Sequence, residues 1–389
     1  MSTITGLADE LLRKIKEGQI KKTKPDASVA FKLAEMPVFW NWELVYTCNY
    51  RCSYCSYTTL GWESHYHMNA YPGLKRLTEI WTRLYKLYGS CHIEMSGGEC
   101  SSYPRFYELL KMLTSMHTIT MDTNLSFDVQ RFAGLADVTK IRLATSFHPQ
   151  FVDFKTFFDK CRYLQEKGIS QIFVNYVAYP DQLKEMAECK RQFKEAGIFC
   201  FIQPFQGVYK KQTVYPDNYT KEEQLLIDAA MADNGADTQI SKIRFAWQGS
   251  TMRSGTENQL RKIEDERAAQ GVAPLLEKKP GKWSPFPWAD LSPSETEQPK
   301  REPVLCRMGQ KYAKTYANGD TFRCCAQLKD DMPWDLFREK VYLGNLFFDD
   351  DLRLLEEPAL CDYAPCPCDR CMVVGQEARW VQRWNAPKN

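Results

Sequence analysis

The stretch Phe39-Trp40-Asn41-Trp42-Glu43-Leu44-Val45-Tyr46-Thr47-Cys48-Asn49-Tyr50-Arg51-Cys52-Ser53-Tyr54-Cys55 runs from strand-forming residues straight into three closely spaced cysteines. Aromatic and branched residues over 39–47 predict a strand. The cysteines follow at once as C-x3-C-x2-C. Three thiolates this close can hold three irons of a cubane [4Fe–4S] cluster, whereas a fourth cysteine would close the last iron. An iron left open is a place for a ligand, by the logic that separates an open catalytic metal site from a closed structural one. Three buried thiols or a zinc knuckle is the plainer reading. Zinc, however, usually takes four ligands in paired C-x2-C units; Cys48 stands alone ahead of its pair, and no His lies within a few residues.

Outward from this stretch, apolar runs of strand length alternate with helical patterns. Strands are predicted at 39–47, 92–96, 118–122, 140–146, 172–178 and 199–204, and helices near 73–88, 104–116, 127–135, 153–167, 181–195 and 221–233. Gly168 and Gly197 stand where helices should end. Pro104 suits a first helical position, and Asp181 an N-cap. Six β–α units imply a parallel sheet with helices on its outer face. They are too few to close an eight-stranded barrel, so an α/β fold with an open (β/α)6 partial TIM barrel is expected, its site at the C-terminal strand ends.

The chain has 389 residues, enough for two modest domains or one large domain with an extension, and a formal charge of +2. No basic field points to nucleic acid. No apolar run approaches the ~18 residues of a membrane span. The first residues read as a short amphipathic helix without the apolar core of a signal peptide. Of fifteen cysteines, seven fall between Cys306 and Cys371, which without a secretory signal points to metal rather than disulfides and to a reducing cytoplasm.

The second strand ends in Met95-Ser96-Gly97-Gly98-Glu99. Two glycines there allow close backbone approach, and the carboxylate behind them can accept from an ammonium group. Together, the cysteine triplet and this Gly-Gly-Glu resemble the signatures of the radical S-adenosylmethionine (SAM) superfamily. The resemblance implies that Cys48, Cys52 and Cys55 hold a [4Fe–4S] cluster whose open iron binds SAM, and that SAM is cleaved to a 5′-deoxyadenosyl radical that abstracts a substrate hydrogen. It also implies that Gly97, Gly98 and Glu99 receive the SAM amino group, that Thr123, Asn124 and Ser146 touch its ribose and carboxylate, and that Tyr54 flanks its adenine. Where the family often continues with Pro, this chain has Cys100, read as a small buried residue. His148, at the mouth of the barrel, is a candidate for substrate contact or proton transfer, or else caps its loop. His65 and His67, in a loop rich in aromatics, read as structural or rim residues.

Cys306, Gly319 and Cys324 form C-x12-G-x4-C, a spacing that fits a hairpin turned at Asn318-Gly319. Cys368 and Cys371 follow as C-x2-C. This arrangement resembles the twitch and SPASM extensions of radical SAM enzymes, and implies an auxiliary [4Fe–4S] cluster on Cys306, Cys324, Cys368 and Cys371. Cys325, Cys361 and Cys366 are left over, so a second auxiliary cluster stays open, as does a structural zinc ribbon. The expected organisation is an N-terminal helical extension (1–37), the radical SAM partial barrel (38–235), a Pro-rich insertion or linker (236–303), and a small hairpin-plus-helix auxiliary-cluster domain (304–389). The expected activity is SAM-dependent hydrogen abstraction from a small polar metabolite such as a sugar, cyclitol or nucleotide. A maturase acting on a ribosomal peptide or protein is the alternative, and a non-catalytic iron–sulfur or zinc protein the third reading. An electron donor such as flavodoxin or ferredoxin is implied.

Overall fold

The structure is a computed structural model, described here for residues 37–55, 66–232, 263–273, 304–306, 308–324, 341–357 and 359–361. The expected N-terminal helix and most of the 236–303 segment lie outside these residues. Two compact units are present: Asn41–Asp290 with Thr315–Gly319, and Met1–Trp40 with Leu291–Lys314 and Asp320–Asn389.

The larger unit alternates strand and helix as the apolar periodicity predicts. β1 (Phe39–Val45), β2 (His92–Gly97), β3 (Thr118–Thr123), β4 (Ile141–Phe147), β5 (Gln171–Ala178) and β6 (Phe199–Pro204) lie in that order across the sheet. Pairings from β2 through β6 are all parallel. Between and after the strands come α1 (Leu74–Tyr88), α2 (Phe106–Thr114), α3 (Val129–Leu135), α4 (Phe154–Glu166), α5 (Leu183–Glu195) and α6 (Lys221–Ala232). This is the central parallel sheet with helices of an open (β/α)6 architecture. A short antiparallel hairpin, β7 (Gly207–Tyr209) and β8 (Thr213–Tyr215), follows β6.

Helix ends follow local chemistry. Asp128 accepts from the backbone N–H groups of Gln130 and Arg131, and Asp153 from that of Thr156, so α3 and α4 carry side-chain N-caps. Gly168 and Gly197 have φ of +81° and +69°, the left-handed conformation of a helix terminator. Two sequence expectations are corrected. Pro104 lies outside α2, whose N-cap is Arg105 at φ 58°. Asp181 sits inside a 3-10 turn, Pro180–Gln182, that precedes α5, and Gln182 is the N-cap. There Asp181 instead accepts from Tyr209 Oη at 2.5 Å.

Side chains alternate across a strand, and here the two faces differ in kind. Ile93, Met95, Ile119, Met121, Ile141, Leu143, Val174 and Tyr176 are fully or almost fully buried on the face that meets the helices. The other face carries polar groups in lateral register: Glu94 beside Thr120, Thr120 beside Arg142, and Ser146 beside Asn175. These are less buried than the apolar row. The sheet therefore presents a polar inner surface whose upper edge is the C-terminal strand ends.

In the smaller unit β12 (Tyr342–Asn345), β11 (Asp320–Phe322) and β10 (Tyr312–Thr315) are neighbours in that order, and β13 (Ala359–Cys361) pairs antiparallel with β9 (Val304–Cys306). Gly319, at φ +89°, turns β10 into β11 as the Asn-Gly pair predicts.

At the N-terminal side of the sheet, His117 joins α1 to β2. Its Nδ1 accepts from Cys91 N–H at 3.0 Å, and Nε2 faces Trp81 O at 3.3 Å. The ring is therefore neutral, and burial pulls it down to about 4 from an ordinary 6.5. The unfolded chain binds this proton first as pH falls, so the stability that neutral His117 contributes is complete above 6.5 and lost progressively down to about 4. The expected loss is about 3 kcal/mol for a shift of that size. His117→Asn keeps an acceptor for Cys91 and should flatten this part of the pH–stability profile, measured by urea denaturation at pH steps from 7 to 4.

Candidate functional site

The site begins where β1 and β2 end side by side. Gly98 N–H donates to Val45 O at 2.7 Å, and Glu99 N–H to Thr47 O at 2.9 Å. A Cβ on Gly97 would stand 2.1 Å from Val45 O, and one on Gly98 would stand 2.3 Å from Thr47 O. No side chain fits either gap. Gly97 also has φ +130°, a conformation glycine alone adopts readily. The two glycines thus lay the second strand's end directly against Val45–Thr47, the three residues that lead into Cys48.

Glu99 follows and is 1 % exposed. Its Oε1 accepts from Thr123 Oγ1 at 2.7 Å and from Ser101 N–H at 3.1 Å; its Oε2 accepts from Asn124 N–H at 2.7 Å. Burial pushes this carboxyl above the usual range, and the three donors pull it back. The group assigned by resemblance to an ammonium ion is thus first a clasp between the ends of β2 and β3. A carboxylate has about four acceptor positions, so three protein donors leave one for a further donor. Thr123 and Asn124 are buried in the same network, and Asn124 Nδ2 donates onward to Asn49 Oδ1 at 2.9 Å.

Asn49 lies between the first two cysteines. Cys52 is buried, while Cys48 and Cys55 are half-buried. Burial, followed by the neighbouring thiols Cys55 and Cys48, drives the Cys52 thiol far up. Burial also raises Cys48, against the Tyr50 N–H that donates to its Sγ at 3.4 Å. Two thiols that resist ionisation, with a third beside them, suit a polycationic iron–sulfur core, which displaces thiol protons on binding. Among the described residues no three His, Cys, Asp or Glu side chains converge on a single metal position. A cubane does not require that, because each thiolate binds a separate iron.

Tyr54, 6 % exposed, sits between Cys52 and Cys55, and its Oη lies 2.8 Å from His148 Nδ1. His148 packs against the Tyr50 and Tyr54 rings, and burial pulls its imidazole down to about 4, so it is neutral at ordinary pH. Ser146 lies two residues earlier at the end of β4, paired with Asn175 of β5. Cys100 is 1 % exposed and its Sγ lies 3.8 Å from Ser96 O, a small buried residue. Tyr54, Gly97, Gly98, Glu99, Thr123, Asn124, Ser146 and His148 all belong to the C-terminal ends of β1–β4 or the loops that leave them.

Of the second cysteine group, Cys306 ends β9, and half-buried Cys324 lies just after β11. Cys368 and Cys371 lie outside the described residues. The β9–β13 register sets Cys361 opposite Val304 and Cys306 opposite Ala359, so the two cysteines stand at opposite ends of this short ladder.

No family model matches the chain, and no curated protein matches it. Among solved structures, Streptococcus suis SuiB is 14% identical with a TM-score of 0.41, covering 82% of this chain and 65% of its own. This chain therefore spans under two thirds of that protein. The protein anSMEcpe, with bound AdoMet and the Kp18Cys peptide, is 13% identical with a TM-score of 0.43, covering 83% of this chain and 81% of its own. BtrN in complex with AdoMet and 2-DOIA is 12% identical with a TM-score of 0.28, covering 81% and 84%. Likeness at these scores carries no argument about activity.

Two substitutions separate the glycine gap from ordinary glycine effects. Gly98→Ala must displace Thr47 and with it Cys48; it should cost about 1–3 kcal/mol or more as overpacking against backbone. Gly134→Ala, in α3 with nothing within 4 Å of its Cβ, should stabilise by about 0.5–1 kcal/mol. Chemical denaturation midpoints report both. Glu99→Gln places an amide hydrogen against one of three donors and should lower the unfolding free energy by about 1–3 kcal/mol.

Proposed function

We propose that this chain is a radical SAM enzyme. The observation that carries the proposal is the close-packed junction of β1 and β2, which sets the cysteine loop and Gly97-Gly98-Glu99 side by side at the C-terminal ends of a parallel sheet. Cys48, Cys52 and Cys55 would hold a [4Fe–4S] cluster with one open iron. When bound, that cluster supplies an electron to SAM, whose cleavage provides the radical that takes hydrogen from substrate. The chain's own part is binding and orientation. The remaining acceptor position of Glu99 suits the SAM ammonium, Thr123, Asn124 and Ser146 suit its carboxylate and ribose, and the Tyr54 ring, braced by His148, suits its adenine. Neutral His148 holds the Tyr54 hydroxyl and is the candidate for proton transfer or substrate contact.

The polar inner face supports a small polar substrate. Glu94, Thr120, Arg142 and Asn175 offer charge of both signs and hydrogen-bonding groups below the strand ends, as a sugar, cyclitol or nucleotide would use. The alternative is a ribosomal peptide or protein substrate. An auxiliary cluster on Cys306, Cys324, Cys368 and Cys371 is proposed for electron transfer, with a flavodoxin or ferredoxin as external donor. No helix among the described residues is long and apolar enough to cross a membrane.

Anaerobic reconstitution should load about eight iron and eight sulfide per chain, two cubanes' worth. Under dithionite the loaded chain should release 5′-deoxyadenosine from SAM, and Ala at Cys48, Cys52 and Cys55 should abolish release while about four iron remain. Release retained by the triple variant would sink the proposal. Enhanced release with the dialysable fraction of a cell extract would support a small metabolite; enhancement by the peptide and protein fraction alone would favour the maturase.

A further inference from the structure

Residues between the cysteines are gripped from outside their own loop. Asn49 is held by Asn124. Tyr50 stacks on Phe151, with ring centroids 4.6 Å apart and planes 11° from parallel, and meets the His148 ring edge-on at 6.0 Å. Ser53 is held at two points: its N–H donates to Gln150 Oε1 at 3.1 Å, and Gln150 Nε2 donates to Ser53 Oγ at 2.7 Å. Tyr54 meets His148 by its hydroxyl, as described above. Arg51 turns inward on the loop, donating from Nη1 to Cys48 O at 2.6 Å and to Tyr50 O at 3.2 Å.

Three of these five residues are therefore held by one short segment, His148-Pro149-Gln150-Phe151, which leaves β4. The segment is itself rigid. Phe151 N–H and Val152 N–H both donate to His148 O, at 2.9 and 3.3 Å, Pro149 has a restricted φ, and Asp153 caps α4 immediately afterwards. Its contacts to Ser53 and Tyr54 fall between Cys52 and Cys55, because these are the two residues that separate the cysteines.

We propose that His148, Gln150 and Phe151 form a clamp that shapes the Cys48–Cys55 loop for metal, with Gln150 as its positioning residue. The metal in this statement rests on the radical SAM proposal; the shaping of the loop does not. Three thiolates must reach three irons at once, and an unshaped loop would give up its conformational entropy at that step. A loop already set in place binds more tightly and releases more slowly. Groups that orient first-layer ligands act in this way at other metal sites. Gln150 suits the task because one planar amide fixes the backbone and the side chain of Ser53 together. Its own side chain is exposed, so replacing it leaves no cavity in the core.

The test compares wild type, Gln150→Ala and Gln150→Glu as full-length chains. A glutamate can accept from both Ser53 N–H and Ser53 O–H, so Gln150→Glu should restore what alanine removes. In metal-free protein under reducing conditions, alkylation at each cysteine is timed by peptide mass spectrometry. Gln150→Ala should speed modification of Cys52 and Cys55 about fivefold, the scale of losing one or two hydrogen bonds. Buried Cys161 and Cys200 should react as slowly as before, and circular dichroism should not change. In iron-loaded protein, the same variant should lose iron to a chelator faster, and the electron paramagnetic resonance spectrum of the reduced SAM-responsive cluster should broaden, with Gln150→Glu near wild type in both. Unchanged alkylation and unchanged iron release in Gln150→Ala would overturn the clamp. A wild-type chain that takes up no iron would overturn the radical SAM proposal, while the alkylation comparison would still decide the clamp.

Discussion

The contact on which the site depends is one of backbone with backbone. Gly98 N–H reaches Val45 O across a gap that a single methyl would fill, and Glu99 N–H reaches Thr47 O beyond it. Strands in a parallel sheet ordinarily part at their C-terminal ends, where loops diverge toward their helices. Here β1 and β2 stay joined past the last regular pairing. Cys48 therefore leaves a fixed point, and Glu99 arrives at the end of β3 with its carboxylate already aimed. From there the order passes by hydrogen bonds from Glu99 to Asn124 and from Asn124 to Asn49, back into the cysteine loop. This circuit of three strand ends is closed by two residues that have no side chain.

Such a circuit is poor value for stability alone. A buried carboxylate loses its hydration, and its protein donors roughly offset that loss rather than exceed it. Glu99 nevertheless lies at 1 % exposure with three donors around it. Its effect is on geometry: removing any one partner leaves a buried polar group unsatisfied, so alternative arrangements of the strand ends are penalised. Rigidity placed at the rim of a sheet whose inner surface is polar is what a binding site needs and what a core does not.

Much of this was legible in the sequence, and the reason is range. The six strands and six helices follow from periodicity, because most strands bury most of one face and most helices bury one stripe; predicted boundaries fall within about two residues at most ends. The helix starts were harder. At Pro104 the chain uses a left-handed Arg105 instead of a proline-led first turn, and at Asp181 a 3-10 turn intervenes and the carboxylate turns to Tyr209. The second outcome involves a neighbour 28 residues away in sequence. The same boundary divides the site. Cysteine spacing and paired glycines are local features and could be read. Asn49 with Asn124, and Ser53 with Gln150, are 75 and 97 residues apart, and no local pattern marks either member.

Glu99 shows where residue-type reasoning needs geometry. A carboxylate behind two glycines suggests an acceptor for a bound cation, and chemically it is one. The fold commits most of its acceptor capacity to the chain itself. Any ammonium that binds there is a fourth donor added to a finished network, so its position is dictated by the three that precede it. The same holds one strand further on, where Tyr54 and His148 satisfy each other before any ligand arrives. Recognition built on groups that are already satisfied gains little from each new hydrogen bond, and much from not having to reorganise to make it.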